Sequence, residues 1–153
     1  MQDIGVFVEP KTRATRPAAY GVLAAVATSL LWFAFVLLLN LSDSIASIPS
    51  LAMGPLVGYT IYRAADREGA ISLQVAAGLL TGSALLLTEV AIIRLQVARE
   101  LSRQGAASLG LLLPVDTYLE WLDAILVRDG LTQLFFVTTL WASIYITRNH
   151  DRG

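Results

Sequence analysis

Long segments without charged residues dominate the pattern of hydrophobic and polar positions in this 153-residue chain. A helix that crosses a lipid bilayer needs about 20 mostly apolar residues, with about 17–25 tolerated. Four stretches meet this length without a charge, namely 17–42, 44–62, 69–88 and 130–147. The pattern predicts an all-α membrane protein, a single domain with four transmembrane helices, whose spans cover about 18–40, 46–63, 69–93 and 131–147.

Two prolines make the second span the least regular of the four. Ser47 is a candidate N-cap, and Pro49 suits a first helical turn. Pro55 lies deeper, where a proline removes a backbone hydrogen bond, so we expect a kink or a helix end there.

The segment 94–130 is too long for a simple connection between the third and fourth spans. Its first part continues a helical pattern, and the capping box Thr117-x-x-Glu120 predicts a second, amphipathic helix on the external face. The residues expected at the outer membrane interface are Tyr118, Trp121, Leu122 and Leu126. This helix is either a connector resting on lipid or a docking surface or lid. A re-entrant or spanning course for 104–128 stays open, and a spanning course would move the C-terminus outside.

The placement of lysine and arginine predicts the orientation, because loops that stay in the cytoplasm retain positive charge. With four spans, both termini and the loop between spans two and three lie on one side. That side holds seven of the 11 basic residues: Lys11, Arg13, Arg16, Arg63, Arg67, Arg148 and Arg152. The opposite side holds Arg94, Arg99, Arg103 and Arg128. We therefore expect 1–17 and 148–153 to be cytoplasmic tails, with the first span retained as a signal-anchor.

Glycines four residues apart predict the helix-packing surfaces, since small residues let membrane helices approach closely. The second span carries Gly54 and Gly58, and the third carries Gly78 and Gly82. In an antiparallel hairpin, Gly54 and Gly78 fall at the same depth, so we expect close backbone contact there. Gln74 would then lie opposite Gly58, with its amide near a backbone carbonyl. Chance spacing and a dimer face are the alternatives.

One charged residue falls inside a predicted span. Glu89 lies five residues before Arg94, and Asn40 and Gln133 are expected at the same outer level. Because a charge within the membrane is costly, these four residues are a candidate outer polar cluster. The alternative is a shallow Glu89 that reaches water or Arg94 and has no chemical role.

Composition limits the functions that fit this chain. Hydrophobic residues make up 56% and charged residues 15%, and the net charge of −1 argues against nucleic acid. There is no cysteine, and the one histidine, His150, lies in the C-terminal tail, away from Ser83 and Ser143. The sequence thus predicts no catalytic residue, no cofactor and no metal site. The expected partners are the lipid bilayer and either another protein or further copies of the chain.

The segments Gly54–Arg63 and Gln74–Gly82 resemble a helical hairpin found in small, uncharacterised multi-pass bacterial inner-membrane proteins. The final Ala142–Arg148 is similar to the way some of those proteins end. The resemblance covers less than half of the chain and implies the bacterial cytoplasmic membrane, without an activity.

Two functions fit these features. The first is a non-enzymatic accessory, assembly or interaction subunit of a membrane complex, which suits the small-residue faces and the external helix. The alternative is a component of a small-solute or ion transporter or channel, with Glu89 in the path.

Overall fold

The computed structural model describes residues 15–39, 43–66, 70–103, 116–117, 119–120, 123 and 130–148. Within these residues the fold is all-helical and has no strand, as the sequence predicts. The helices are α1 (Thr15–Leu39), α2 (Asp43–Ala46), α3 (Ser50–Ala64), α4 (Ile71–Arg103) and α5 (Gly130–Ile146). Tyr118, Trp121, Leu122 and Leu126 of the predicted interfacial helix lie outside the described residues, and so does Asn40.

Two helices are long and apolar enough to cross a membrane. Helix α1 has 25 residues with a mean hydropathy of 2.5, and α4 has 33 residues with a mean hydropathy of 1.8. Helices α3 and α5 are shorter, with 15 and 17 residues. At about 1.5 Å per residue, α1 is about 37 Å long and α4 about 50 Å, whereas α3 is about 22 Å and α5 about 25 Å.

The four longer helices alternate in direction along the chain, so that around the bundle the neighbours α3 and α5 are parallel and so are α1 and α4. Helix α1 runs antiparallel to α3, because Gly21 lies against Ile61 while Trp32 bonds to the carbonyl of Ala46 before α3. Helix α3 is parallel to α5, because Gly54 and Gly58 lie against Thr139 and Ser143 in the same order. Helix α5 is antiparallel to α4, because Gly78 and Gly82 lie against Ile144 and Leu140 in the opposite order. This up-and-down arrangement places the first residues of α1 and the last residues of α5 at the same end of the bundle.

The start of the predicted second span differs from the expectation. Helix α3 begins at Ser50, after the short α2 and a turn, and its N-cap position is occupied by Pro49. Ser47 is therefore not the N-cap, because its hydroxyl lies 3.1 Å from that of Thr132 on α5. Pro55 lies within α3 and does not end the helix, which continues to Ala64.

Helix α4 extends ten residues beyond the end predicted for the third span. The helical pattern expected for the start of the external segment is thus a direct continuation of α4 as far as Arg103. Near this end Arg103 contacts Glu100 at 3.5 Å, and both side chains are exposed. Such an exposed pair contributes little stability.

The core is formed by apolar side chains from all four longer helices. Trp32 of α1 is 2% exposed and meets the ring of Phe136 on α5 edge-to-face, with the ring centres 6.4 Å apart. The fully buried apolar residues around them include Val36, Met53, Val57, Ile61, Ala77 and Ile92. Large apolar side chains also cover the outside of the bundle, where α1, α4 and α5 expose many leucines and valines.

Candidate functional site

The glycines of α3 contact α5, not α4. A Cβ atom built on Gly54 would overlap the carbonyl oxygen of Thr139, and one built on Gly58 would lie 2.6 Å from that of Ser143. Both contacts are with main-chain atoms, so the two helices approach backbone to backbone. The prediction that paired Gly54 with Gly78 is therefore wrong.

The glycines of α4 also face α5. A Cβ on Gly78 would lie 3.3 Å from side-chain atoms of Ile144, and one on Gly82 would lie 3.7 Å from Leu140. These are looser contacts than those of α3, because they meet flexible side chains. Helix α5 thus packs against the glycine faces of both preceding helices, so the glycines contact α5 and not each other as the hairpin prediction expected.

Gln74 does not make the contact expected of it. Its side chain is half-buried on the first turns of α4. No hydrogen bond joins its amide to a described residue of α3. The physical reason follows from the glycine contacts, since the face of α3 that carries Gly58 is turned toward Ser143 on α5.

The residues predicted for the outer polar cluster point in different directions. Glu89 is 5% exposed and lies on the interior face of α4, whereas Arg94 and Gln133 are exposed. Residues five apart on a helix are about 140° apart around its axis, which separates Glu89 from Arg94. Of the described members, Glu89 is thus buried inside the bundle, whereas Arg94 and Gln133 lie on its surface.

Glu89 instead lies at the depth of a buried layer of polar groups. Gly82 of α4 faces Leu140 of the antiparallel helix α5. Glu89 lies seven residues after Gly82, and Gln133 lies seven residues before Leu140, so Glu89 and Gln133 are at the same depth. Thr132, next to Gln133 in the chain, is 1% exposed. Its hydroxyl oxygen lies 3.1 Å from the hydroxyl oxygen of Ser47. A carboxyl group and two hydroxyl groups therefore occupy the same level of the bundle.

The turn between α2 and α3 completes this layer. The indole Nε1 of Trp32 donates to the carbonyl of Ala46 at 2.5 Å, and the hydroxyl of Ser50 donates to the carbonyl of Ser47 at 2.6 Å. All of these residues are buried. Because the carbonyls of Ala46 and Ser47 accept these hydrogen bonds, the turn is held in place and keeps the hydroxyl of Ser47 next to that of Thr132.

A row of buried hydroxyl groups continues from this layer along α5. Its members are Thr132, Thr139, Ser143 and Thr147, each at most 1% exposed. Thr139 donates to the carbonyl of Ser50 at 3.2 Å, and Thr81 of α4 donates to the hydroxyl of Ser143 at 2.8 Å. The hydroxyl of Ser143 in turn lies 3.3 Å from the carbonyl of Ala77. One side of α5 is thereby hydrogen-bonded to both α3 and α4.

The chemistry available here is hydrogen bonding and proton binding. Hydroxyl groups and carbonyl oxygens can hold helices together, and the carboxyl group of Glu89 can carry or release a proton. No three histidine, cysteine or acidic side chains gather as a possible metal site among the described residues. The arrangement is thus a polar interior, and among the described residues its ionisable side chain is Glu89.

The α5 hydroxyl residues were absent from the sequence-based set of site residues. Their spacing contains the signal, because intervals of seven, four and four residues keep Thr132, Thr139, Ser143 and Thr147 on one helix face. Hydroxyl residues recurring on one face of an apolar helix indicate hydrogen bonds to neighbouring helices. Ser47 and Trp32 carry no comparable signal, since their partners lie in a turn and on a distant helix.

Comparisons with protein-family models, with curated proteins and with solved structures found no match to this chain.

Proposed function

We propose that the chain is a multi-pass protein of the bacterial cytoplasmic membrane and acts as a non-enzymatic accessory, assembly or interaction subunit of a membrane complex. In this proposal α1, α3, α4 and α5 all cross the bilayer, and both termini are cytoplasmic. The alternating helix directions and the apolar outside of the bundle support the placement. The distribution of arginine and lysine supports the orientation.

The observation that carries the proposed role is an aromatic surface on the outside of α5. Trp141 and Tyr145 stack with ring centres 4.9 Å apart and planes 18° from parallel, and Trp141 is 61% exposed. Leu134 and Val137 extend the same outward face. Rigid, exposed aromatic side chains are the residues that most often anchor protein interfaces.

Native extraction tests this role. The protein is released from its own membrane in mild detergent, and the co-purifying proteins are identified and quantified by mass spectrometry. We expect a stoichiometric membrane partner, and we expect Trp141→Ala to lower its recovery about tenfold, as for an interface anchor. Leu38→Ala is the matched control, because Leu38 is 82% exposed on α1, outside the aromatic surface.

Two results would contradict the accessory role. One is a homogeneous preparation, monomeric or oligomeric, that contains no second protein. The other is partner recovery that Trp141→Ala leaves equal to that of Leu38→Ala. In the second case the exposed ring of Trp141 contacts the membrane interface, where tryptophan and tyrosine are enriched without any partner.

A transport function is the second candidate, and the burial of Glu89 favours it. An acidic side chain inside a membrane bundle, level with Thr132 and Ser47, is typical of residues that bind protons or cations during transport. The row of hydroxyl groups along α5 leads from this level toward the other end of the bundle.

Flux through reconstituted vesicles tests the second candidate. Purified protein is placed in liposomes that contain a pH-sensitive dye, and proton movement is followed after a potassium diffusion potential is applied. Transport through Glu89 predicts flux that Glu89→Gln abolishes, while Glu100→Gln, a change on the exposed end of α4, leaves it unchanged. Flux equal to that of protein-free liposomes would exclude proton transport.

A further inference from the structure

Helices α1 and α4 enclose an apolar groove on the outside of the bundle. At one end the two parallel helices touch, since a Cβ on Gly21 would lie 3.0 Å from Leu80. At the other end Arg99 of α4 donates to the carbonyl of Leu37 on α1 at 3.2 Å. Between these points the helices separate and leave a groove of about 460 Å³. Its walls include Val22, Val26, Leu30, Ala84, Leu87 and Ala91.

The length of the groove matches one leaflet of a bilayer. Its lining runs from Val22 to Phe33 on α1 and from Leu80 to Ala91 on α4. Eleven residue steps correspond to about 16 Å along a helix. Half of the bilayer's hydrocarbon core is about 15 Å thick, so a crossing helix would be about twice as long as this groove. A single acyl chain fits that length.

A cationic residue lies at the outer end of the groove. Arg94 is exposed and follows Ala91 by three residues, on the face of α4 that also carries Leu87 and Ala84. Arg94 therefore lies about one turn beyond Ala91, the last residue of α4 that lines the groove. Guanidinium groups bind phosphate through paired hydrogen bonds, and a long arginine side chain extends toward the headgroup region.

We propose that the groove binds one glycerophospholipid, with an acyl chain between α1 and α4 and the phosphate held by Arg94. An apolar groove open to the bilayer core excludes water, so hydrocarbon is the matching occupant. The charge at its end selects a lipid with a phosphate over one without. This inference rests on the membrane placement proposed above, but it does not require a protein partner.

Native mass spectrometry of the full-length protein tests the site. The protein is purified in mild detergent and supplied with palmitoyl-oleoyl phosphatidylglycerol, or with the matching diacylglycerol, which has the same chains without the phosphate. We expect one retained phospholipid per chain and about tenfold less diacylglycerol, the difference that one charge-assisted contact provides. Arg94→Gln should bring phospholipid retention down to the diacylglycerol level.

A second substitution fills the groove instead of removing the charge. Ala91 is exposed, so Ala91→Leu adds bulk to the groove without entering the core, and retention of both lipids should fall. Ala27→Leu is the same change at an exposed α1 position outside the groove, and it should retain lipid like the unmodified protein. Arg103→Gln is the matching control for charge.

The outcomes separate the parts of the inference. Absence of a retained phospholipid, or equal retention by Ala91→Leu and Ala27→Leu, would overturn the site in the groove. Equal preference for phospholipid in Arg94→Gln and Arg103→Gln would overturn the role of Arg94. Loss of the protein partner in Trp141→Ala concerns the proposed function alone, because that residue lies on α5. Unfolding temperatures measured in parallel identify any variant that fails to fold.

Discussion

The Cα of Gly54 lies against the carbonyl oxygen of Thr139, so that two main chains touch where α3 and α5 pack. No other residue type fits at position 54 without moving a helix, because the first atom of any side chain would overlap this carbonyl. One turn further along, Gly58 approaches Ser143 in the same way. The parallel α3–α5 pair is thus held at a spacing set by backbone atoms.

We predict that Gly54→Ala destabilises the bundle strongly. Overpacking a well-packed interior costs about 1–3 kcal/mol, and here the obstacle is main chain that cannot change rotamer. The free energy of unfolding in detergent, measured by denaturant titration, should fall by about 1–3 kcal/mol or more.

Gly82→Ala is the matched control for this prediction. A Cβ at position 82 would lie 3.7 Å from Leu140, an ordinary contact, and alanine is the better helix former. Stability should stay the same or rise. Equal destabilisation by Gly54→Ala and Gly82→Ala would contradict the close contact between α3 and α5.

A second prediction concerns the hydrogen bond between Thr81 and Ser143. Thr81→Val and Ser143→Ala each remove one side of a buried contact of 2.8 Å. A double-mutant cycle should give a coupling energy of about 0.6 kcal/mol, the average for hydrogen bonds between membrane helices. Thr60→Val serves as the control, since its hydroxyl bonds within its own helix to Leu56. Zero coupling in the Thr81–Ser143 cycle would exclude a contribution from this bond.

Trp32 gives a third prediction. Trp32→Phe keeps an aromatic ring near Phe136 but removes the indole donor, which leaves the carbonyl of Ala46 buried without that bond. The expected loss is about 1–3 kcal/mol, the cost of a buried group left unsatisfied. Trp141→Phe, at an exposed position, should leave stability nearly unchanged. If the two substitutions have the same effect on unfolding, the Trp32 bond does not hold α2 to α1.

The side of the membrane on which each end of the bundle lies is open to a direct measurement. The chain has no cysteine, so single cysteines introduced at Thr15, Arg103 and Arg148 each report one position. In sealed inverted vesicles, a membrane-impermeant maleimide should label the Thr15 and Arg148 positions and leave the Arg103 position unlabelled until detergent is added. Labelling at Arg103 without detergent, or protection of either other position, would contradict the proposed orientation.

The helical class and the approximate helix positions could be predicted from the sequence, because long uncharged segments decide both. The pairing of helices could not. Glycine spacing shows that α3 has a face suited to close approach, but it does not identify the neighbour. That neighbour is α5, whose buried threonines and serine fit against Gly54 and Gly58, and which is far away in sequence.

The outer polar cluster shows a related limit. Depth along a helix follows from counting residues, and this count places Glu89 level with Gln133. Direction around the helix axis depends on which faces meet in the folded bundle. Glu89 points inward and Gln133 outward, and this difference follows from the packing of α4 on α5, which the sequence alone does not specify.

In the proposed membrane placement, with all four longer helices across the bilayer, the unequal helix lengths have a consequence for the surrounding lipid. The edge of the bundle formed by α3 and α5 is about 22–25 Å long, shorter than a hydrocarbon core of about 30 Å, whereas α1 and α4 exceed that thickness. A bilayer adapts to such hydrophobic mismatch by thinning beside the short edge, at a small cost per ångström. The protein would therefore deform its membrane unevenly and partition toward thinner bilayers, with neighbouring proteins drawn to the same thinned side.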